Sequence, residues 1–430
     1  MSGAVRRPVR RAVRLGLTGV LALGAALLGP VHVPSATAAG TGVVPAPPAK
    51  SVVTWAASAD RMGDAGADRM GDAGADRSYR LIVRTSVGGT GLRVRVSNAF
   101  GDRPLVIGRA YAGIRESGAR LRPGSNKKLA FGGSASVTLA PGEIRYSDPL
   151  PGRVAAMSDL ALSLYVRDAG GPATGHGMAL STSYATSGDH AAEEGEGAYT
   201  ERPGSWFYLD AVTVEADRGA GAVVTLGDSI TDGWQSSTDK NLRWPDFLAR
   251  RLHASPDSTV KGVANAGISG NQVLADGAAQ SALKRLDRDA LSLPGVRTVV
   301  LFEGVNDIKS HTGVTAAALT AGYREIIDRS HAAGLCVVGA TVLPFKGWSE
   351  WDPEEEAVRT GVNEWIRTSG EVDAVADFDK VLRSPYDAQR ILPTFDGGDH
   401  LHPNDKGMQA MADSVALTSL ECDRGGASGR

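Results

Sequence analysis

AVVTLGDSITDG, residues Ala222 to Gly233, runs from an apolar segment straight into a turn rich in hydroxyl and carboxyl side chains. Ala222, Val223, Val224, Thr225 and Leu226 form a short, largely β-branched run, the pattern of a strand buried on both faces. Gly227, Asp228 and Ser229 follow at once. A serine just past the carboxyl end of a parallel strand stands at the sheet rim, where open α/β folds bind their ligands, so Ser229 is a candidate nucleophile. The competing reading is local: Asp228, Ser229 and Thr231 also suit a turn that merely caps a helix. The residues downstream decide between the two.

From Gly221 onward, strand patterns alternate with helical ones. Val260 to Ala266, Arg297 to Phe302, Leu335 to Val342 and Val372 to Phe378 read as further strands. Between them lie three apolar stripes repeating at three or four residues: Ala279, Leu283, Leu286 and Ala290; Leu319, Tyr323, Ile326 and Ile327; Val358, Val362, Trp365 and Ile366. Asp352-Pro353 followed by Glu354 to Glu356 marks the start of the last helix. This alternation predicts a parallel sheet with helices on both faces and every strand-to-helix loop on one rim.

On that rim the chain places Asn265-Ala266-Gly267-Ile268-Ser269-Gly270-Asn271, then Gly304-Val305-Asn306-Asp307, then Asp399-His400-Leu401-His402-Pro403. Acyl transfer requires a nucleophile, a base, a carboxylate that orients the base, and donors aimed at the developing oxyanion. Ser229, His402 and Asp399 supply the first three, and the Ser229 and Gly270 N–H groups with the Asn306 amide supply the donors. The set resembles the SGNH hydrolase superfamily, also called the GDSL esterases and lipases, over roughly residues 221–420. The blocks that carry the resemblance are GDSITDG with Ser229, NAGISGN with Gly270, GVND with Asn306, and DHLHP with Asp399 and His402. It implies a flavodoxin-like three-layer α/β domain with a parallel sheet and catalysis without metal or organic cofactor. It also selects His402 over His400 as base, because the superfamily pattern puts Pro directly after that histidine and Asp three residues before it. No G-x-S-x-G nucleophile elbow occurs in the chain.

Upstream, the pattern is β. Val52 to Trp55, Tyr79 to Ser86, Leu92 to Ser97, Leu105 to Ala112, Leu160 to Val166, Ala179 to Tyr184 and Trp206 to Val214 are short runs with turn residues between them, which predicts an all-β sandwich-like domain over 51–218 ahead of the hydrolase domain at 219–423. Leu92, Val94 and Val96 alternate cleanly with Arg93 and Arg95, whereas Arg80, Leu81 and Val83 alternate imperfectly. Within this region ADRMGDAG occurs at Ala59 to Gly66 and again at Ala67 to Gly74. Units so poor in apolar residues cannot stack as a solenoid, and they read as a duplication in an exposed loop. Asp60, Asp64, Asp68, Asp72 and Asp76 lack the alternate-residue oxygen spacing of a calcium loop.

The first 38 residues carry Arg6, Arg7, Arg10, Arg11 and Arg14, an apolar run from Leu15 to Leu28, and small residues around Ala36-Thr37-Ala38. That order predicts a secretory signal peptide, with export by the Sec or the twin-arginine route. The apolar run is short, Gly-rich and closed by Pro30 and Pro34, so no stable membrane anchor is expected. Residues 39–50, with Pro45, Pro47 and Pro48, read as a linker, and 424–430 as a disordered tail. Removing the leader's arginines leaves 41 basic against 48 acidic side chains, a net charge of about −7. With no basic stripe interleaved with aromatics, nucleic acid is excluded as a partner. Two cysteines, Cys336 and Cys422, allow one bridge and no cysteine-rich zinc site. Since Cys336 opens the fourth strand and Cys422 follows a helix returning to the same end, a disulfide is geometrically reasonable.

The expected function is therefore a secreted serine ester hydrolase. Its partner is a small-molecule or polysaccharide ester, with short acyl groups leading. The alternatives are a lipase or phospholipase on long chains, and a carbohydrate-binding protein carrying a degenerate hydrolase. Trp234, Trp244, Phe345, Trp348 and Trp351 fall in rim loops and are candidates for lining the pocket.

Overall fold

The computed structural model describes residues 51–62, 74–216 and 219–422. The expected signal peptide, linker and tail, and most of the repeat, lie outside the described residues, which all fall within one compact unit.

The antiparallel part is built on β1 (Ser51–Ala56), β2 (Arg77–Arg84), β3 (Gly89–Ser97), β4 (Leu105–Ser117), β5 (Asp159–Ala169), β6 (Ala173–His176) and β7 (Leu209–Glu215). One sheet runs β1, β7, β3 and Leu150–Val154; a second runs Tyr184–Ser187, β2, β5 and β4. Leu92, Val94 and Val96 of β3 share one apolar core with Leu81 and Val83 of β2 and Leu162 and Leu164 of β5. The imperfect alternation of β2 has a cause: its reverse face is buried too. Arg80 is fully covered there. Its guanidinium donates to Ser163 Oγ at 2.9 Å and Ala119 O at 2.6 Å, and stacks 4.2 Å from the Tyr199 ring centre. Those bonds satisfy a charge that the strand pattern alone would send to solvent.

Two expectations fail in this part. Ala179 to Tyr184 is not a strand, because the Ala179 and Ser183 N–H groups bond to Gly204 O and Pro203 O in a loop, and Leu180 takes φ +47°. Trp206 to Val214 is broken at Tyr208, with φ +57°.

The parallel sheet comprises β8 (Gly221–Gly227), β9 (Val260–Gly267), β10 (Val296–Phe302), β11 (Cys336–Ala340) and β12 (Ala374–Ala376), in spatial order β9-β8-β10-β11-β12. All its pairs are parallel. This is the flavodoxin-like order, whose direction reverses between β8 and β10. Successive residues serve opposite faces, as a pleated strand requires. Val224, Val299 and Val337 pack with α3 (Ala282–Leu286), α5 (Ala316–Ala332) and α6 (Pro353–Thr368). Val223, Val300 and Val338 pack with α2 (Trp244–Ala254) and α7 (Asp405–Ser414) on the other face. The result is the three-layer α/β arrangement expected.

Asp352 caps α6 by accepting from Glu355 N at 2.8 Å, with Pro353 in the first turn, as its sequence predicts. The stripe that starts at Ala279 becomes helical only after the Ser281 cap. Cys336 and Cys422 form a disulfide, their Cα atoms 5.8 Å apart, which ties the chain end to the amino end of β11.

The two parts share one core. A parallel bridge from Ala57 to Asn265 and the bond from Val263 N to Ser86 Oγ at 2.9 Å dock the end of β1 and the loop after β2 on the edge strand β9, while Val53 N donates to Pro294 O at 2.9 Å just before β10. Such contacts protect an otherwise open sheet edge.

Candidate active site

β8 ends at Gly227, where a Cβ would lie 2.5 Å from Phe302 O and 2.2 Å from Thr231 Oγ1. Only glycine allows the strands and the following turn to close this tightly. Asp228 then caps the one-turn helix α1 (Ser229–Asp232) by accepting from Ile230 N at 2.9 Å. The capping role thus belongs to Asp228, and the Ser229 side chain is left for another partner.

That partner is His402. Ser229 Oγ lies 2.8 Å from His402 Nε2, and His402 Nδ1 lies 2.8 Å from Asp399 Oδ2. The other Asp399 oxygen accepts from Leu401 N at 3.0 Å and His402 N at 2.8 Å, which fixes the carboxylate plane. A carboxylate at Nδ1 places the imidazole proton there and leaves Nε2 to accept from the serine hydroxyl. Burial pushes His402 below the ordinary imidazole range, with Asp399 offsetting only part of that effect. Burial raises Asp399, but the hydrogen bonds from His402 and Leu401 outweigh it and hold the carboxyl below its usual range. His402 is therefore neutral and Asp399 charged at neutral pH.

The expected oxyanion donors converge on the same rim. Gly270 sits in a turn with φ +80°. Its N–H and that of Ser229 make no backbone hydrogen bond among the described residues. Asn306 lies in the single turn α4 (Val305–Ile308), and its Nδ2 donates to Asn271 O at 2.9 Å with a second N–H to spare. Asp307 accepts from Val273 N at 2.8 Å and Leu274 N at 3.0 Å, which pins the loop beyond Gly270. The buried Arg285 donates to Asn271 Oδ1 at 2.7 Å, Ala266 O at 2.7 Å and Gly227 O at 3.0 Å, joining the ends of β8 and β9. Sequence reading passes over both residues: Asp307 is visible only as the neighbour of Asn306, and an arginine on a helical stripe ordinarily faces water. Burial lifts the Asp228 carboxyl to about 7 and holds Glu303 well above its usual range, so two protonatable acids stand behind the rim.

Residues 225–410 match the model of the GDSL-like lipase/acylhydrolase family. Over those residues the chain is similar to the GDSL-like lipases and acylhydrolases. Solved structures similar to the chain include a GDSL-like lipase from Bacteroides thetaiotaomicron (19% identity, 46% of this chain and 87% of that one, TM-score 0.35). An aryl esterase from M. smegmatis is also similar (16%, 45% and 96%, 0.38), as is a carbohydrate acetylesterase family member from Sinorhizobium meliloti (17%, 45% and 94%, 0.37). No curated protein sequence matches the chain.

Around the GDSL-like site, the rim aromatics divide. Trp234 and Trp348 place their ring centres 5.9 and 6.0 Å from the His402 ring, and Trp234 is exposed. Trp244 and Phe345 are instead core residues with no exposure. Trp244 opens α2 and packs its ring 5.4 Å from Phe378 under the sheet, so proximity to a loop in sequence misassigns it. Trp351 is half-buried, its backbone N–H donating to Trp348 O at 3.1 Å. His400 has its own carboxylate, with Nδ1 2.6 Å from Asp396 Oδ2, and its side chain is half exposed. Among the described residues, His311, Asp352 and Glu355 are the set of three metal-ligating types whose donor atoms lie within 4.8 Å of one another. Asp352 is engaged as a helix cap there, and His311 Nδ1 lies 3.1 Å from Glu355 Oε1.

Proposed function

We propose that the chain is an exported serine hydrolase of carboxylic esters, acting first on small acyl esters, among them acetyl groups carried by polysaccharides. The observation that carries this reading is the unbroken link from Ser229 through His402 to Asp399, 2.8 Å at each step, beside N–H groups left without backbone acceptors. Ser229 Oγ attacks the ester carbonyl as its proton passes to His402 Nε2. The carbonyl oxygen, now negative, is met by the N–H groups of Ser229 and Gly270 and by the Asn306 amide. Collapse expels the alcohol, which takes the proton from His402. Water then attacks the acyl-serine with His402 as base, releasing the carboxylic acid and restoring Ser229. Asp399 stabilises the imidazolium formed in each half and keeps its tautomer. Trp234 and Trp348 offer apolar walls to the acyl or alcohol group.

Export is supported by the basic, apolar and small-residue order of the leader and by the Cys336–Cys422 disulfide, a bond that persists in oxidising compartments. The test is hydrolysis of p-nitrophenyl acetate, longer p-nitrophenyl esters and acetylated xylan by the purified protein and its Ser229→Ala variant. Acetate turnover that falls by several orders of magnitude in the variant supports the reading. Turnover unaffected by Ser229→Ala refutes it, and preference for long chains moves the substrate class to lipids.

A further inference from the structure

The antiparallel part reaches the back of the site through His176, the last residue of β6. We infer that His176 is a positioning residue for the oxyanion loop: by holding Asp232, it sets the peptide that presents the Gly270 N–H. The inference rests on the esterase reading for its catalytic consequence, although the contact itself does not.

His176 is buried between the two parts of the chain. Its Nδ1 lies 2.9 Å from Ser58 O, and its Nε2 lies 2.9 Å from Asp232 Oδ1 and 3.1 Å from Met178 O. All three partners are oxygens that only accept. Both ring nitrogens must therefore donate, which only the doubly protonated ring can do. Burial alone would push the ring down, but the charge and hydrogen bond of Asp232 outweigh it and hold His176 above the ordinary imidazole range.

Asp232 is the last residue but one of the GDSITDG block and is itself buried. With Oδ1 on His176, its Oδ2 accepts from Ser269 N at 3.0 Å and Ser269 Oγ at 2.8 Å. The next N–H along the chain is that of Gly270. One carboxylate thus bridges a cation from the antiparallel part to the residue preceding the expected oxyanion donor. Ser58 closes the frame from the other side, since its hydroxyl accepts from the same Arg285 guanidinium that grips Asn271, at 3.0 Å. If His176 is removed, Asp232 Oδ1 loses its buried partner with almost no access to water, and the side chain must rotate to find another. That rotation loosens Ser269.

The test uses the full chain. His176→Leu removes both donors, His176→Gln restores a neutral donor toward Asp232, and Ser269→Ala removes one arm of the far link. Deleting one oxyanion donor costs about 10²–10³ in kcat, so a misaligned donor is expected to cost about 10–100-fold. His176→Leu should show that loss on p-nitrophenyl acetate with KM within about twofold, His176→Gln should recover part of it, and Ser269→Ala should lose about tenfold. Because both residues act through Asp232, the double variant His176→Leu/Ser269→Ala should be no slower than His176→Leu by more than about twofold. In parallel, amide exchange in peptides containing Ser269 and Gly270 should speed up by at least about tenfold in His176→Leu while the sheet strands stay protected. That arm needs no catalysis, so a wild type inactive on every ester sinks the esterase reading while the coupling is still read. Unchanged kcat in folded His176→Leu, multiplied losses in the double variant, or unchanged exchange at Ser269 overturns the inference. Should His176→Leu fail to fold, Ser269→Ala and His176→Gln decide, and wild-type kcat in both overturns it.

Discussion

Asp399→Asn isolates the role of the carboxylate from that of its shape. In the native site Oδ1 accepts two backbone N–H groups, from Leu401 at 3.0 Å and His402 at 2.8 Å, and Oδ2 faces His402 Nδ1 at 2.8 Å and accepts from the exposed Gln235 amide at 3.3 Å, a group that can turn over to present its oxygen instead. A new amide can keep both backbone bonds only with its oxygen in the Oδ1 position, because an NH₂ group there would face two donors. The NH₂ is then forced toward Nδ1, which must accept, so the imidazole proton moves to Nε2 and points at Ser229. The serine loses its base without any change in the shape of the site. Such a tautomer reversal costs about 10⁴ in kcat, or about 5 kcal/mol of transition-state stabilisation. Steady-state hydrolysis of p-nitrophenyl acetate measures it, with thermal melting to show that the fold survives. Asp399 also raises the His402 pKa, so the acidic limb of the residual activity should move to lower pH. An Asp399→Asn variant that melts as wild type and keeps kcat within about tenfold would falsify the tautomer argument and the base assignment resting on it.

For the wild type, burial holds His402 below the ordinary imidazole range, and the base works only when neutral. The acidic limb of kcat/KM should therefore fall below about pH 6.5; a limb above that value contradicts this environment for the base. Asn306→Ala should lower kcat about a hundredfold, whereas a change in KM alone would make the amide a binding group. His402→Ala should abolish nearly all turnover, and His400→Ala, which breaks only the exposed pair with Asp396, should retain substantial kcat; the reverse pattern moves the base to His400. Replacing Cys422 with Ser opens a loop of 86 residues and should destabilise the fold by up to about 4.5 kcal/mol, read as a lower urea midpoint with activity at 25 °C kept; an unchanged midpoint means that the chain end is tied without the bridge.

The amino-acid sequence by itself determined the second half of the fold, because its signals are local. β8 to β12 announce themselves as apolar runs, α5 and α6 as stripes with caps, and the glycine and asparagine turns mark where each strand ends. Once those elements alternate, the parallel sheet and the common rim follow, and with them the grouping of Ser229, Gly270, Asn306, Asp399 and His402. Tertiary structure alone decided what lies behind that rim. Arg80 and Arg285 are buried because distant loops cover them and supply acceptors, and no periodicity in their own segments records it. Trp244 and Phe345 went into the core while Trp234 and Trp348 stayed beside His402, although all four occupy similar stretches of sequence. Ala179 to Tyr184 carries a strand pattern but found its hydrogen-bond partners in a loop. His176 and Asp232, 56 residues apart, meet only when the antiparallel part docks on β9. Propensity and patterning act over a few residues, whereas the pairing of a buried charge depends on which surfaces close over it, and only the folded chain sets that.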